Sequence, residues 1–573
     1  MQTSPEKQRS RCAASRLPLY SDDDVDVRRI EFAAHLSPPT GARCQSERLA
    51  WPQAMWKELT STMRDRLVRN LRRIQHKDYF AGSGSASQIF HQMVRFLNGL
   101  APLDIPPVHE TNACEWCPVR RDLIQRRLHS VPDHVQGDIM DRLPDAIRKE
   151  IKGMEAEKSS TVLAKKQCNR KIAMYIDQLY NEGGYRFSRC KCDRHPHAQC
   201  PVGVNINDED LDGEVLIDSD EDHMRAVTAG CPCVDNSAMN LFACGDGGRT
   251  FTASSLFLSE RAYMREDWIY IECTPGWNCG LVRARLPSCF QVCRLTLRGE
   301  DVGDAYDRER MGCMAYNEEK HIVTVPLESY LDFAAARPAI NIDQFWSSTL
   351  EEQDDEIREF LERRVHPVGI GDFGLNWDDV MLPSQKKRRL DYDKEFERKV
   401  REGHCFPGEV AIYDLDQQLG SHGRVLVDSI AGRPAKLPTL ITHGCWWNRN
   451  KQTVLTAVDQ LRVHGWPVSS SEMQEHGTII DWTAELKNDL LKHKHVVQMM
   501  GDSWHIPVQG RFLMFWLSVL QERTYTPPTV GLPPVSEEEG EEGDEIASQG
   551  SVMTISVSSS NGDDIACVCH SLL

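Results

Sequence analysis

The sequence predicts an α/β fold built on a parallel sheet. Three observations point there. Two short apolar segments of β character, Ala226–Ala229 and Trp268–Ile271, alternate with helical stretches, the order expected of parallel strands joined by crossover helices. A Gly- and Ser-rich turn, Asp78–Ser87, sits just before a helix, where glycines let the backbone approach a ligand. And 573 residues with 40% hydrophobic content and 13 Trp can bury a sizeable core.

The elements follow in order. Residues 1–50 are polar and read as an irregular N-terminal extension; their first twenty hold bases but no apolar stretch, so no secretory signal is predicted. Residues 51–77 read as helix running toward a strand. Residues 88–100 form a helix with Ile89, Phe90, Met93, Val94 and Leu97 on one side. Residues 119–129 are a basic helix, 145–182 are helical, and 183–222 read as loop. Further on come a charged helix at 352–364, short strands among Gly and Pro at 405–445, and an apolar helix at 511–521. Residues 524–573 have the composition of a disordered acidic tail. No apolar run approaches the ~20 residues of a membrane helix. The 20 Cys, spread through a long chain, read as reduced thiols rather than a disulfide framework. The net charge of −18 is concentrated in residues 208–222, with nine acids, and 537–545, with seven. The remainder is nearly neutral, so a basic cleft is allowed but not indicated.

The residues able to do chemistry also come in order. Phe80, Gly82 and Gly84 lie in the first turn, which on its own is more often a plain loop. Glu115 and Trp116 follow: an acid at a strand end can accept bonds from ribose hydroxyls, and an indole can stack on a purine. Asp138 comes where a third strand should end. Cys233 follows Pro232 just after Ala226–Ala229. A thiol there can be a nucleophile if neighbours lower its pKa; a buried structural Cys or half of a Cys-x-Cys metal site are the alternatives. Glu272 closes the segment begun by Trp268. Arg308 and Arg310, two apart, would share one face of a strand.

In this order, the Gly-rich turn, Glu-Trp, Gly-Asp-Ile, Pro-Cys, strand-end Glu and Arg-x-Arg resemble the C5-cytosine-specific DNA methyltransferase family. Leu455-Thr456 with Asp459 and Gly465-Trp466-Pro467 resembles its late block, and Gly501–Val508 its final block. The resemblance spans residues 78–508. It implies a Rossmann-like S-adenosylmethionine-dependent methyltransferase domain with a smaller target recognition lobe. The division expected is 51–318 for the catalytic domain with an insert at 150–225, 319–480 for target recognition, and 481–523 for the return to the catalytic domain. By position, Phe80, Gly82 and Gly84 would line the S-adenosylmethionine site, Glu115 hold its ribose, Trp116 stack on adenine and Asp138 meet the adenine amino group. Asp502 and Ser503 fall in the same site. The target cytosine leaves the duplex. Cys233 would attack ring carbon 6, Glu272 would hold or protonate ring nitrogen 3, and Arg310 with Arg308 would hold the ring carbonyl. DNA is the expected partner. RNA is less expected, since the Cys-Phe-Thr tripeptide of the tRNA-modifying branch is absent. No membrane partner is expected, and the nucleus, or else an organelle, is the expected location. Departures occur at Ser83, Ser85, Cys273-Thr274, Val234–Asn236, Asp459, His464 and Asp502. None removes the nucleophile or the acid. A weak or inactive nucleic-acid-binding relative and an RNA cytosine methyltransferase stay open as alternatives.

Other clusters carry weaker signals. Cys190, Cys192, His195, His197 and Cys200 are five potential ligands in eleven residues. No metal is assigned to them: Cys-x-Cys and His-x-His are tighter than usual zinc pairs, so a reduced loop is the preferred reading and zinc the alternative. Lys386–Arg389 reads as a phosphate contact, a nuclear import signal or a solvated patch. Trp446, Trp447, Asn448, Arg449 and Lys451 read as a groove cluster or as core.

Overall fold

The computed structural model describes residues 40–100, 103–156, 161–183, 189–201, 223–232, 248, 250–364, 376–419, 425–427, 436–440 and 444–523. Its strands run β1 (Ile74–Tyr79), β2 (His109–Cys114), β3 (His134–Gln136), β4 (Arg189–Cys192), β5 (His195–Pro201), β6 (Met224–Gly230), β7 (Trp268–Cys273), β8 (Phe290–Leu297), β9 (Tyr306–Asp307) and β10 (Arg310–Asn317). All but β9 form a nine-stranded sheet in the order β5-β4-β3-β2-β1-β6-β7-β10-β8. β1 is parallel to β2 and β6, β2 to β3, and β6 to β7. β10 is antiparallel to β7 and β8. Chain order reverses between β1 and β6. In a Rossmann-like α/β sheet that is the switch point, where the carboxyl strand ends open a crevice.

Why these segments are strands differs from one to the next. β7 is buried throughout, as expected of a central parallel strand. β1 (IQHKDY) is polar, yet it too is central. Its buried side chains find partners from distant segments: His76 Nε2 lies 2.8 Å from Thr228 Oγ1, Thr228 donates to Asp78 Oδ1 at 2.9 Å, and Lys77 pairs with Glu266 at 3.3 Å. Helices cover both faces. On one, the helix Ser85–Leu100 packs against the helix Ile506–Val519, which is buried on every side, the mark of a core helix. On the other, the helices Val162–Gly183 and Phe251–Met264 pack together.

A second, four-stranded sheet forms apart from the first. The remaining strands are β11 (His321–Val323), β12 (Ala411–Asp414), β13 (Val425–Val427), β14 (Leu437–Pro438), β15 (Trp446–Asn448), β16 (Thr453–Val454) and β17 (Leu520–Glu522), of which β12, β13, β15 and β16 make up the second sheet. The order is β13-β12-β15-β16, while β14 pairs with β9 and β11 with β17. Among the described residues, no helix is long and apolar enough to cross a membrane.

Three expectations need correction, and one reading left open, that of the Trp446–Trp447 pair, is decided. The stretch read as loop contains the β4–β5 hairpin, paired to β3; residues 202–222 lie outside the described residues. The end of the supposed irregular extension is a helix, Gln45–Leu49, with Arg48 buried. Trp446 and Trp447 are core rather than groove. Arg449 lies 4.5 Å over the Phe396 ring, and Lys451 donates to the carbonyls of Asp343 and Trp346. The basic run is half structural: Arg388 donates to the Leu415 carbonyl at 2.7 Å, and Arg389 pairs with Asp378 over the Trp447 ring. The tail at 524–573 lies outside the described residues.

Candidate active site

The crevice is built from the end of β1. Phe80 (φ 53°), Gly82 (φ 58°) and Gly84 (φ 83°) all take left-handed backbone. The two glycines serve different ends. A Cβ at Gly84 would overlap the Arg127 guanidinium, whereas one at Gly82 would meet nothing within 4 Å. Gly84 is close packing; Gly82 faces open space.

Glu115, at the end of β2, ties this turn down. Its Oε2 accepts from the Gly82 N–H and its Oε1 from the Cys117 N–H, both at 2.9 Å. Burial pushes its carboxyl pKa up, against the Arg120 guanidinium and those two N–H groups. Beside it, Trp116 is 65% exposed. Asp138, exposed just past β3, accepts from the Met140 N–H at 3.0 Å. Asp502 pairs with Arg120 at 2.5 Å. Ser503 Oγ lies 2.9 Å from Ser83 Oγ and donates to the Met499 carbonyl. The structure therefore gathers Gly82, Glu115, Asp502 and Ser503 around one loop, through Ser83, noted in the sequence only as a departure, and through Cys117 and Arg120, which the sequence did not single out. Arg120 fell inside the basic helix, but nothing in its spacing marked it.

On the other side of the switch point, Gly230 at the end of β6 is in register with Glu272 of β7. Cys231 and Pro232 lead on from there; Cys233 lies outside the described residues. Glu272 is buried, and its Oε1 lies 2.9 Å from Arg310 Nε. Burial pushes the Glu272 carboxyl up; Arg310 and then Arg308 pull it back. Gly312 of β10 stands opposite Glu272, and a Cβ there would come within 2.8 Å of the Tyr270 hydroxyl. The absent side chain lets β7 and β10 close around the tyrosine.

The two arginines do not share a strand face as expected. Only Arg310 lies in β10. Arg308 precedes it, buried, with Nη1 donating to the Tyr306 hydroxyl at 3.3 Å and Nη2 to the Gly501 carbonyl at 3.2 Å. Behind the loop lie two more buried acids missed in the sequence. Glu110 pairs with Arg127 at 2.8 Å and accepts from Ser87. Asp78 accepts from Thr228, and burial drives its carboxyl well up.

Fold and site together define a Rossmann-like α/β protein with polar and charged residues gathered at its switch point. No protein-family model matches the sequence, and no curated protein matches it. Among solved structures it is similar to the Dnmt2 methyltransferase of S. pombe, at 11% identity and TM-score 0.34, covering 78% of this chain and 98% of that one. It is also similar to a prophage-encoded E. coli chain described as a DNA modification methyltransferase (11%, 0.34, 78% and 99%). A third is a mutant of Spodoptera frugiperda DNMT2 (9%, 0.32, 77% and 99%).

Proposed function

We propose that this chain is a DNA (cytosine-5-)-methyltransferase that takes its methyl group from S-adenosylmethionine. The observation that carries the reading is the buried Glu272–Arg310 pair at a strand end in register with Gly230, three residues before Cys233. The crevice beside it suits the cofactor. Gly82 opens on space, Trp116 offers an exposed indole, and Glu115 brings a carboxylate to the loop. When bound, S-adenosylmethionine supplies an electrophilic methyl group.

The chain's own residues do the rest. Cys233, as thiolate, adds to carbon 6 of a flipped-out cytosine, which makes carbon 5 nucleophilic. Glu272, whose pKa is raised by burial, is suited to donate a proton to ring nitrogen 3 as charge develops there. Arg310 holds Glu272 in place and would meet the ring carbonyl. After methyl transfer the carbon 5 proton leaves, and the thiolate is expelled from carbon 6. Arg308, tied to Gly501, positions the loop carrying Asp502 and Ser503.

The test is mechanism-based trapping on duplex DNA containing 5-fluorocytosine, with S-adenosylmethionine present. Fluorine cannot leave as a proton does, so a covalent adduct should accumulate. It should vanish in Cys233→Ser while cofactor binding persists. An adduct that survives this change rules out the nucleophile. Cofactor binding with no adduct on DNA or RNA marks an inactive relative, and adduct on RNA alone moves the substrate.

A further inference from the structure

The β4–β5 hairpin brings together four side chains with no role in the crevice. His134 lies on β3, Cys192 ends β4, and His195 and Cys200 lie on β5. One ligand atom from each lies within 4.8 Å of all the others. Cys192 Sγ is 3.9 Å from His134 Nδ1 and 3.6 Å from His195 Nδ1; Cys200 Sγ is 3.3 Å from His195 Nδ1. A tetrahedral zinc with Zn–S of about 2.3 Å and Zn–N of about 2.0–2.1 Å sets sulfur and nitrogen about 3.6 Å apart. The spacings bracket that value. None of the described cysteines is in a disulfide.

We propose that His134, Cys192, His195 and Cys200 form a structural zinc site that fastens the hairpin to the edge of the sheet. Two thiolates and two imidazoles suit zinc rather than magnesium or calcium. Four protein ligands close the tetrahedron and leave no position for a reacting water. Binding releases the two thiol protons and gives a net-neutral centre, which a half-buried location tolerates. The site uses a Cys-x2-His-x4-Cys run, not the Cys-x-Cys or His-x-His pairs, and takes its fourth ligand from 58 residues upstream. Cys190 and His197 are left out.

The location suggests what the metal does. β4 is antiparallel to β3, with Cys192 paired to Gln136. The hairpin turn then holds the first site: Asp193 pairs with Arg121 at 2.6 Å, and Arg121 Nη1 donates to the carbonyls of Glu115 and Trp116. A metal at the hairpin therefore buttresses the Glu115–Trp116 turn, whatever that turn binds.

The full-length chain, reduced and purified without chelator, should carry one zinc by mass spectrometry. Exchange for cobalt should give the visible bands of a tetrahedral two-sulfur, two-nitrogen site. Cys200→Ser and His134→Ala should lower metal affinity at least tenfold, and Cys190→Ser and His197→Ala should leave it unchanged. If a ligand variant fails to fold, the wild-type cobalt spectrum still decides. A chain that holds no zinc and gives no tetrahedral cobalt bands overturns the proposal. Unchanged affinity in His134→Ala, or loss of metal in Cys190→Ser, overturns the ligand set.

Discussion

At the scale of single residues, Gly82 and Gly84, two positions apart in the same turn, serve different purposes. Gly84→Ala meets both a left-handed backbone and the Arg127 guanidinium. It should cost at least ~2 kcal/mol, because displacing Arg127 strips Glu110 of its buried partner. Gly82→Ala faces only the backbone term, about 1 kcal/mol, but narrows the crevice and should weaken cofactor binding. Thermal denaturation of both variants checks this; equal losses would discard the packing role of Gly84. Glu272→Gln keeps the shape and removes the acid. It should lower kcat about 10²–10³-fold with the fold intact, and a variant of near-wild-type rate would remove Glu272 from the chemistry. Glu356, on the helix Leu350–Arg364, accepts from the Ala457 N–H at 2.8 Å, and burial pushes its carboxyl up to about 7. The folded state thus holds its proton more tightly than the unfolded chain does. The stability this gives is fully present below the free carboxyl value, about 4.3, and is lost as pH rises through about 7. Glu356→Gln should therefore be more stable than wild type at pH ~8, by roughly 1–3 kcal/mol, and nearly equal at pH ~4. Urea unfolding at both pH values measures it.

At the scale of elements, strand ends are held by buried charge rather than by apolar packing alone. Tyr79, the last residue of β1, donates to Glu260 at 2.7 Å and lies under the Arg142 and Arg261 guanidiniums. Glu260 pairs with both arginines, and Arg261 reaches on to Glu266. Burial pushes the Glu260 carboxyl up, but the two guanidiniums outweigh it and hold it below the usual range. Its stabilisation is present above the free carboxyl value and lost as pH falls through the lower folded value. Glu260→Gln leaves two buried guanidiniums short of charge and should cost about 3–5 kcal/mol. Because the network reaches Tyr79, the glycine turn beyond it should loosen as well. Hydrogen exchange of the Ala81–Gly84 amides would register that loosening; unchanged protection there would separate the network from the crevice.

At the scale of the whole molecule, distant segments meet at Arg48. Its guanidinium pairs with Asp304 at 2.9 Å and donates to the carbonyls of Arg462 and Val463. It joins the beginning of the described chain to β9's approach and to the late block. Arg48→Ala should destabilise the protein by about 3–5 kcal/mol, since Asp304 would stay buried without its main partner. Denaturation that shows less than ~1 kcal/mol would mean that the segment around residue 48 is dispensable.

How much was legible follows from where the signal lay. β6 and β7 were visible because their apolar runs are local, and so was the helix Ser85–Leu100, whose periodicity is local too. β1 was nearly hidden, because its buried His76, Lys77 and Asp78 are satisfied only by residues ~150–190 positions away. The order of Gly82, Glu115, Glu272 and Arg310 could be read along the chain. That Glu272 meets Arg310, while Arg308 turns to Gly501, could not. Nor could the fourth member of the cysteine–histidine cluster: the sequence shows five candidates in eleven residues, and only the pairing of β4 with β3 selects three of them and adds His134. The sequence by itself determined which residue types were available and where turns, helices and apolar strands fall, since those depend on near neighbours. The tertiary structure alone decided which buried charges pair and which ligands converge, because burial makes an unpartnered charge costly and the partner can come from anywhere in the chain.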